Sequence, residues 1–167
     1  IGYKGTPSFI PLVAAPHDGN LIDADLIIER MAESARLGVK SVMFAGTGEP
    51  LAHKRIDKIN EGALDAGLDT AFTTNGTLLE RLGSMPRTSW VKISLNAGTR
   101  EGYAAMHRTK AEDWDKVWKN IHEAVKRKGD CTLGVQCVVL PDTVYEMDAL
   151  AREARHAGVD YLVLKPY

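Results

Sequence analysis

The segment Trp90-Val91-Lys92-Ile93-Ser94-Leu95-Asn96 reads as a β-strand in which apolar and polar residues alternate. Successive side chains on a strand point to opposite faces, so Val91, Ile93 and Leu95 share one side and Lys92, Ser94 and Asn96 the other. Strands of an open doubly wound sheet are covered by helices on both faces and read as apolar throughout. A polar second face instead suggests a barrel, with helices outside and a lumen that holds a polar ligand. An edge strand with one wet face is the competing reading.

Outward from this strand, helical and extended segments alternate along nearly the whole chain. Strands are expected at Val39–Ala45, Asp69–Thr74, Thr132–Leu140 and Asp160–Leu164. Asp23 caps a first helix that carries Leu26, Ile27, Met31, Ala35 and Leu37 at helical spacing and ends at Gly38. Further helices are expected at His53–Ala66, Leu78–Leu82, Arg100–Met106, Asp113–Lys128 and Val144–Ala157. Alternation of this kind indicates βαβ units, a parallel sheet and right-handed crossovers, which places the chain in the α/β class.

The 167 residues suffice for one medium domain, expected over 23–167. An extended segment, 1–22, precedes it, with Pro7, Pro11 and Pro16 around the apolar Phe9, Ile10, Leu12 and Val13. With 21 basic and 22 acidic side chains the net charge is −1, so composition provides no field for nucleic acid. No apolar run reaches the length of about 18 residues that a membrane span needs, and no partner in a membrane is expected. The first residue is not Met, and the sequence is expected to open inside a longer protein. Cys131 and Cys137 are the only cysteines. On one strand their Cα atoms would stand about 20 Å apart, too far for a disulfide or a shared metal. Reduced thiols and a cytoplasmic location follow. None of the five histidines pairs at the His-x3-His spacing of a zinc helix, and no metal ligand is expected.

Three polar turns leave the C-terminal ends of consecutive strands, the end at which α/β folds gather ligands. The first is Ala45-Gly46-Thr47-Gly48-Glu49-Pro50-Leu51. Its glycines let the backbone approach a ligand, and Glu49 with Pro50 stands where a phosphate loop would need Lys and an opening helix. An amine suits this turn better than a phosphate. The second is Thr73-Thr74-Asn75-Gly76-Thr77, with Thr77 a candidate helix cap. The third is Ser94-Leu95-Asn96-Ala97-Gly98. Each alone is compatible with an ordinary turn; their shared rim makes a ligand site the fuller reading.

Together with Tyr103-Ala104-Ala105-Met106-His107-Arg108-Thr109 and Leu164-Lys165-Pro166, these stretches resemble the core of radical S-adenosylmethionine (SAM) enzymes over about 39–167. The resemblance implies a partial parallel (β/α)6 TIM-like barrel with five of its six strands present. It also implies SAM and a [4Fe–4S] cluster as cofactors. An external electron donor of the flavodoxin or ferredoxin type is implied as partner, and the reaction is hydrogen abstraction from an unidentified substrate by a 5′-deoxyadenosyl radical. Gly46, Thr47, Gly48, Glu49 and Pro50 match the family's Gly-Gly-Glu-Pro motif, whose backbone and Glu hold the methionine amino group; Thr47 departs from it. Thr74, Asn75, Ser94 and Asn96 fall at or beside positions that contact ribose and carboxylate. By the same resemblance Gln136 and Val138 lie where the family lines the adenosine, Arg108 is a candidate partner for the methionine carboxylate, and Lys165 and Tyr167, with Pro166 between them, are expected to line the adenine or substrate side. The family's Cys-x3-Cys-x2-Cys cluster loop does not occur in the 167 residues, and its ligands are expected upstream of residue 1. Alternatives remain open: a different barrel enzyme using Lys92 or Lys165 as a Schiff-base or anion group, or a binding module without a cluster.

Overall fold

The computed structural model describes residues 21–46 and 48–166. The expected extended segment lies outside them except for Leu21 and Ile22, as do Thr47 and Tyr167. Five parallel strands form one sheet in sequence order: β1 (Ser41–Phe44), β2 (Asp69–Thr74), β3 (Trp90–Ser94), β4 (Thr132–Val139) and β5 (Tyr161–Pro166). The helices are α1 (Ala24–Arg36), α2 (Ile56–Asp65), α3 (Arg100–His107), α4 (Ala111–Arg127) and α5 (Met147–Ala157). The sheet is not closed among the described residues; β1 and β5 are its edges.

Local chemistry explains the element boundaries. Asp23 Oδ1 accepts the N–H groups of Asp25 and Leu26 and so caps α1. Gly67 and Gly158, both at left-handed φ, release the chain from α2 and α5 into the following strands. Three expected helices are shorter than their patterns suggested: α2 starts at Ile56 rather than His53, α5 starts at Met147 behind a 3-10 turn at Val144–Glu146, and Leu78–Leu82 is not an α-helix. Pro50–Ala52 forms a separate 3-10 turn ahead of α2, and the Leu78–Leu82 stretch is a 3-10 turn, Leu79–Arg81. In chain order Pro86 forms part of a third such turn, Met85–Arg87.

The two faces of the sheet differ. Val91, Ile93, Leu133, Val135 and Cys137 are fully buried against Val117, Ile121 and Ala124 of α4 and Leu150 and Ala154 of α5. Residues of opposite parity, including Thr73, Trp90, Lys92, Ser94 and Gln136, are only half-buried. Parallel register joins them across the sheet: Thr73 pairs with Lys92, Lys92 with Gly134, and Gly134 with Tyr161; one row higher Ser94 pairs with Gln136 and Gln136 with Val163. All helices in the core serve one face. The alternation in β3 thus marks an open polar face rather than a lone wet edge.

Packing weakens toward β1. Ala24 is the only buried residue of α1, Leu26 is 47% exposed and Met43 on β1 is 55% exposed. A largely apolar cavity of about 770 Å³ lies between α1, β1 and α2, lined by Leu26, Met31, Val42, Phe44 and Ile56.

Candidate functional site

The turn after β1 is held by its own glutamate. Glu49 Oε1 accepts the Leu51 N–H at 3.0 Å and the Thr74 hydroxyl at 2.6 Å, and Oε2 accepts the Asn75 N–H at 2.7 Å. One carboxylate therefore caps the Pro50–Ala52 turn and ties it to the end of β2. That uses three of its roughly four acceptor positions. Side chains at Gly46 and Gly48 would meet no protein atom within 4 Å, so protein packing does not demand glycine there. Open space beside both leaves their backbone accessible to a ligand.

Thr74 does not take the place expected for it. It is 2% exposed, donates to Glu49 and accepts the Gly76 N–H at 3.1 Å. Thr74 positions Glu49 rather than facing the rim. Asn75 Oδ1 accepts the N–H and hydroxyl of Thr77 at 2.9 and 2.7 Å, so the cap of this turn is Asn75 and not Thr77.

At the end of β3 the structure brings three expected residues together. Ser94 is half-buried beside its register partner Gln136. Asn96 adopts a left-handed conformation at φ 54°, which Asn tolerates better than most residues. Its Oδ1 accepts the Val138 N–H at 3.0 Å, while Leu95 N–H donates to the Gln136 carbonyl at 3.0 Å. The side chain of Asn96 thus continues the β3–β4 ladder past the last residue of β3. With Oδ1 engaged, its Nδ2 group is left to donate to a ligand. The hydroxyl of Ser94 and the side-chain amide of Gln136 have no hydrogen-bond partner among the described residues.

The remaining expected residues are more exposed. Lys165 and Pro166 pair in register with Val138 and Val139 at the end of β5. Arg108 ends α3 at left-handed φ 51°, exposed and in no ion pair among the described residues. Next to it, His107 Nε2 lies 2.6 Å from the Leu95 carbonyl and the ring stacks on Tyr103 at 4.4 Å.

Sequence reasoning missed Glu146. From the turn before α5 its carboxylate accepts the N–H groups of Gly98 and Thr99 at 2.8 and 3.1 Å and the Thr99 hydroxyl at 2.9 Å. Side chains at Gly98 and Gly102 would collide with it, at 2.0 Å from the Glu146 carbonyl and 2.4 Å from its carboxylate. The glycines at 98 and 102 are the sequence signal, although they do not identify their neighbour. Glu49 and Glu146 thereby fix two successive rim loops by the same device.

Both cysteines are buried on the helix-covered side, and burial pushes each thiol up to about 11. Neither is a thiolate at neutral pH. Among the described residues no group of three His, Cys, Asp or Glu side chains could hold a metal ion. The donor set does not fit an iron–sulfur cluster, whereas the rim of backbone, hydroxyl and amide groups fits SAM. No helix among the described residues is long and apolar enough to cross a membrane.

Comparison with known proteins gives the same picture. A probable GTP 3′,8-cyclase of Methanococcus maripaludis (strain C6) is 26% identical over 155 residues, covering 89% of this chain and 51% of the relative. The chain thus spans about half the length of the curated cyclase it matches. Among solved structures, TYW1 with a bound lysine-pyruvate adduct superposes with a TM-score of 0.71 at 17% identity, over 87% of this chain and 54% of that one. Streptococcus suis SuiB bound to S-adenosylmethionine does so at 0.69 and 17%, over 89% of this chain and 34% of that one. These neighbours show the partial-barrel fold of the chain. The model of the radical SAM superfamily matches residues 5–162, and the chain belongs to that superfamily.

Proposed function

We propose that the C-terminal rim of β1–β4 binds SAM, and that the protein of which this chain is the core abstracts a hydrogen atom from its substrate. The observation that carries the reading is the Ser94–Asn96–Gln136 constellation. Ser94 and Gln136 face the open side at the ends of neighbouring strands, and beside them Asn96, oriented by the Val138 N–H at 3.0 Å, continues the ladder with its Nδ2 group free of that bond. Gly46, Gly48, Glu49 and Pro50 follow β1 at the same edge of the sheet, with Glu49 tied to Leu51, Thr74 and Asn75.

Each group has a distinct task. The backbone around Gly46 and Gly48, with the remaining acceptor position of Glu49, receives the ammonium of the methionine moiety. Ser94 and the Asn96 amide donate to oxygens of the ribose and carboxylate, while Gln136 and Val138 meet the adenosine with one polar and one apolar contact. Arg108 and Lys165 stand at the periphery as cations for a carboxylate. When bound, SAM supplies the family's 5′-deoxyadenosyl radical; the chain's contribution is to orient it and exclude water from the open face.

The cluster ligands are proposed to come from sequence outside these 167 residues, and the chain by itself is proposed to be inactive. An external low-potential electron donor and a cytoplasmic setting belong to the same proposal. At 26% identity over half its length, the cyclase does not carry its substrate across to this chain. Anaerobic reconstitution with iron and sulfide of a protein containing both this core and a three-cysteine loop, followed by assay for 5′-deoxyadenosine, tests the reading. Product formation that falls about 100-fold or more in the Ser94→Ala/Asn96→Ala double variant is expected. Full activity of that variant would refute the assignment.

A further inference from the structure

We infer that the floor of the open face, one register row beneath the proposed SAM rim, receives an anionic group of the substrate on the Lys92 ammonium. The inference rests on the cofactor reading above for the location of the reaction. The observations behind it concern the floor alone.

From Ala71 upward, the positions of this face carry two lysines, Lys92 and Lys165, and no carboxylate. The single acidic residue of the face, Asp69, is exposed at the start of β2, roughly 13 Å below Thr73 along the strand. Lys92 is half-buried, in no ion pair among the described residues, and its Nζ lies 5.7 Å from the centroid of the Trp90 ring. A partly desolvated cation held over an aromatic face, with no counter-ion, is complementary to an anion.

The register row of Lys92 supports this. Gly134 is its partner on β4, and a Cβ there would sit 2.1 Å from Cζ of Tyr161, the next residue in the row. The Tyr161 ring has therefore crossed the gap from β5, and its phenol end lies over Gly134, toward β3 and Lys92. Any side chain at 134 would block that path. Burial above all raises the Tyr161 pKa above its ordinary value, so the phenol is a neutral donor. Thr73, the partner of Lys92 on β2, adds a half-buried hydroxyl. The row thus combines an ammonium with two hydroxyl groups able to donate, the set that a carboxylate or phosphate needs. It lies about 7 Å below the Ser94–Gln136 row, close enough to hold the rest of a small substrate beneath the rim.

The test is a titration of the isotopically labelled chain with inorganic phosphate and, separately, with succinate, at constant ionic strength against chloride. Backbone amide shifts are followed in wild type, Lys92→Met and Lys92→Arg. Saturable shifts at Thr73, Gly134 and Tyr161 are expected with at least one of the two anions, and the responding anion identifies the source chemistry. Lys92→Met should weaken that binding about tenfold or more, and Lys92→Arg should stay within about threefold of wild type. Spectra of both variants that match wild type away from β3 exclude misfolding as the cause. Absence of saturable shifts in this row, or unchanged affinity in Lys92→Met, overturns the inference. A parallel SAM titration of wild type separates the two readings. Anion shifts without SAM shifts at Ser94 and Asn96 would sink the cofactor assignment and leave this one standing, and the converse result would do the reverse.

Discussion

Within β3, Val91 and Ile93 are inaccessible to solvent, while Trp90, Lys92 and Ser94, interleaved with them, remain half-buried. The first pair packs against α4 and α5, where shape and volume decide stability. The second set offers donors and a cation to a face that no helix among the described residues covers. One strand therefore carries the fold on one side and the chemistry on the other, and substitutions on the two sides should separate stability from binding.

The largest expected effect is on the buried side. Ile93→Ala removes a fully buried side chain at the centre of the core and should cost about 2–4 kcal/mol, read as a lower denaturation midpoint at unchanged slope. Ser94→Ala, one residue away on the open side, should change stability by less than about 0.5 kcal/mol. An equal loss in both would erase the distinction between the faces.

Next come the loops that connect the two sides. Glu49→Ala leaves the Thr74 hydroxyl and the Leu51 and Asn75 N–H groups without their acceptor, and should cost about 1–3 kcal/mol in the same assay. Glu49→Gln keeps acceptor oxygen on one side and should fall between. A variant as stable as wild type would show that water replaces the carboxylate freely. Gly134→Ala tests the open face from below. Its methyl group collides with the Tyr161 ring, so Tyr161 must leave its place, at a cost of about 1–3 kcal/mol and with a changed tyrosine environment in near-ultraviolet circular dichroism. An unaltered spectrum would contradict the placement of the ring.

The smallest effect concerns Asp160 at the entry to β5. Its carboxyl is held below the usual carboxylate value first by the Leu133 N–H at 2.7 Å and then by Lys128 at 2.9 Å. A folded pKa below the unfolded one means that the stabilisation is complete above about pH 4 and is lost as the pH falls through the folded value. Asp160→Asn should accordingly flatten the acid limb of the stability profile below about pH 4 while leaving its neutral region parallel to wild type. A steeper acid limb in the variant would reverse the sign assigned here.

How far the sequence disclosed these features depends on the range of the interactions. Strand positions were readable to within about two residues, since alternation and the glycines at 67 and 158 are local signals. So were the Asp23 cap and the polar ends of β1, β2 and β3. The role of Thr74 was not, because the direction of one hydroxyl is set by Glu49, 25 residues earlier. Glu146 reaches Gly98 across 48 residues, and Gly134 is explained only by a ring on the next strand. The 3-10 turn at Leu79–Arg81 escaped notice because its apolar spacing resembles one turn of helix.

The central claim is that SAM binds at the rim. Its most direct test is titration of SAM into the isotopically labelled chain, with amide and side-chain amide shifts assigned. Saturable shifts are predicted at Ser94, Asn96 and Gln136, including the Asn96 Nδ2 group, together with Gly46 and Gly48, which also line one end of the α1–β1 cavity, and little change at Leu26, Met31 and Ile56 deeper in that cavity or between α4 and α5. Saturable shifts confined to Leu26, Met31 and Ile56 or to the α4–α5 surface, or no shift at Ser94 and Asn96 at saturating SAM, would contradict it.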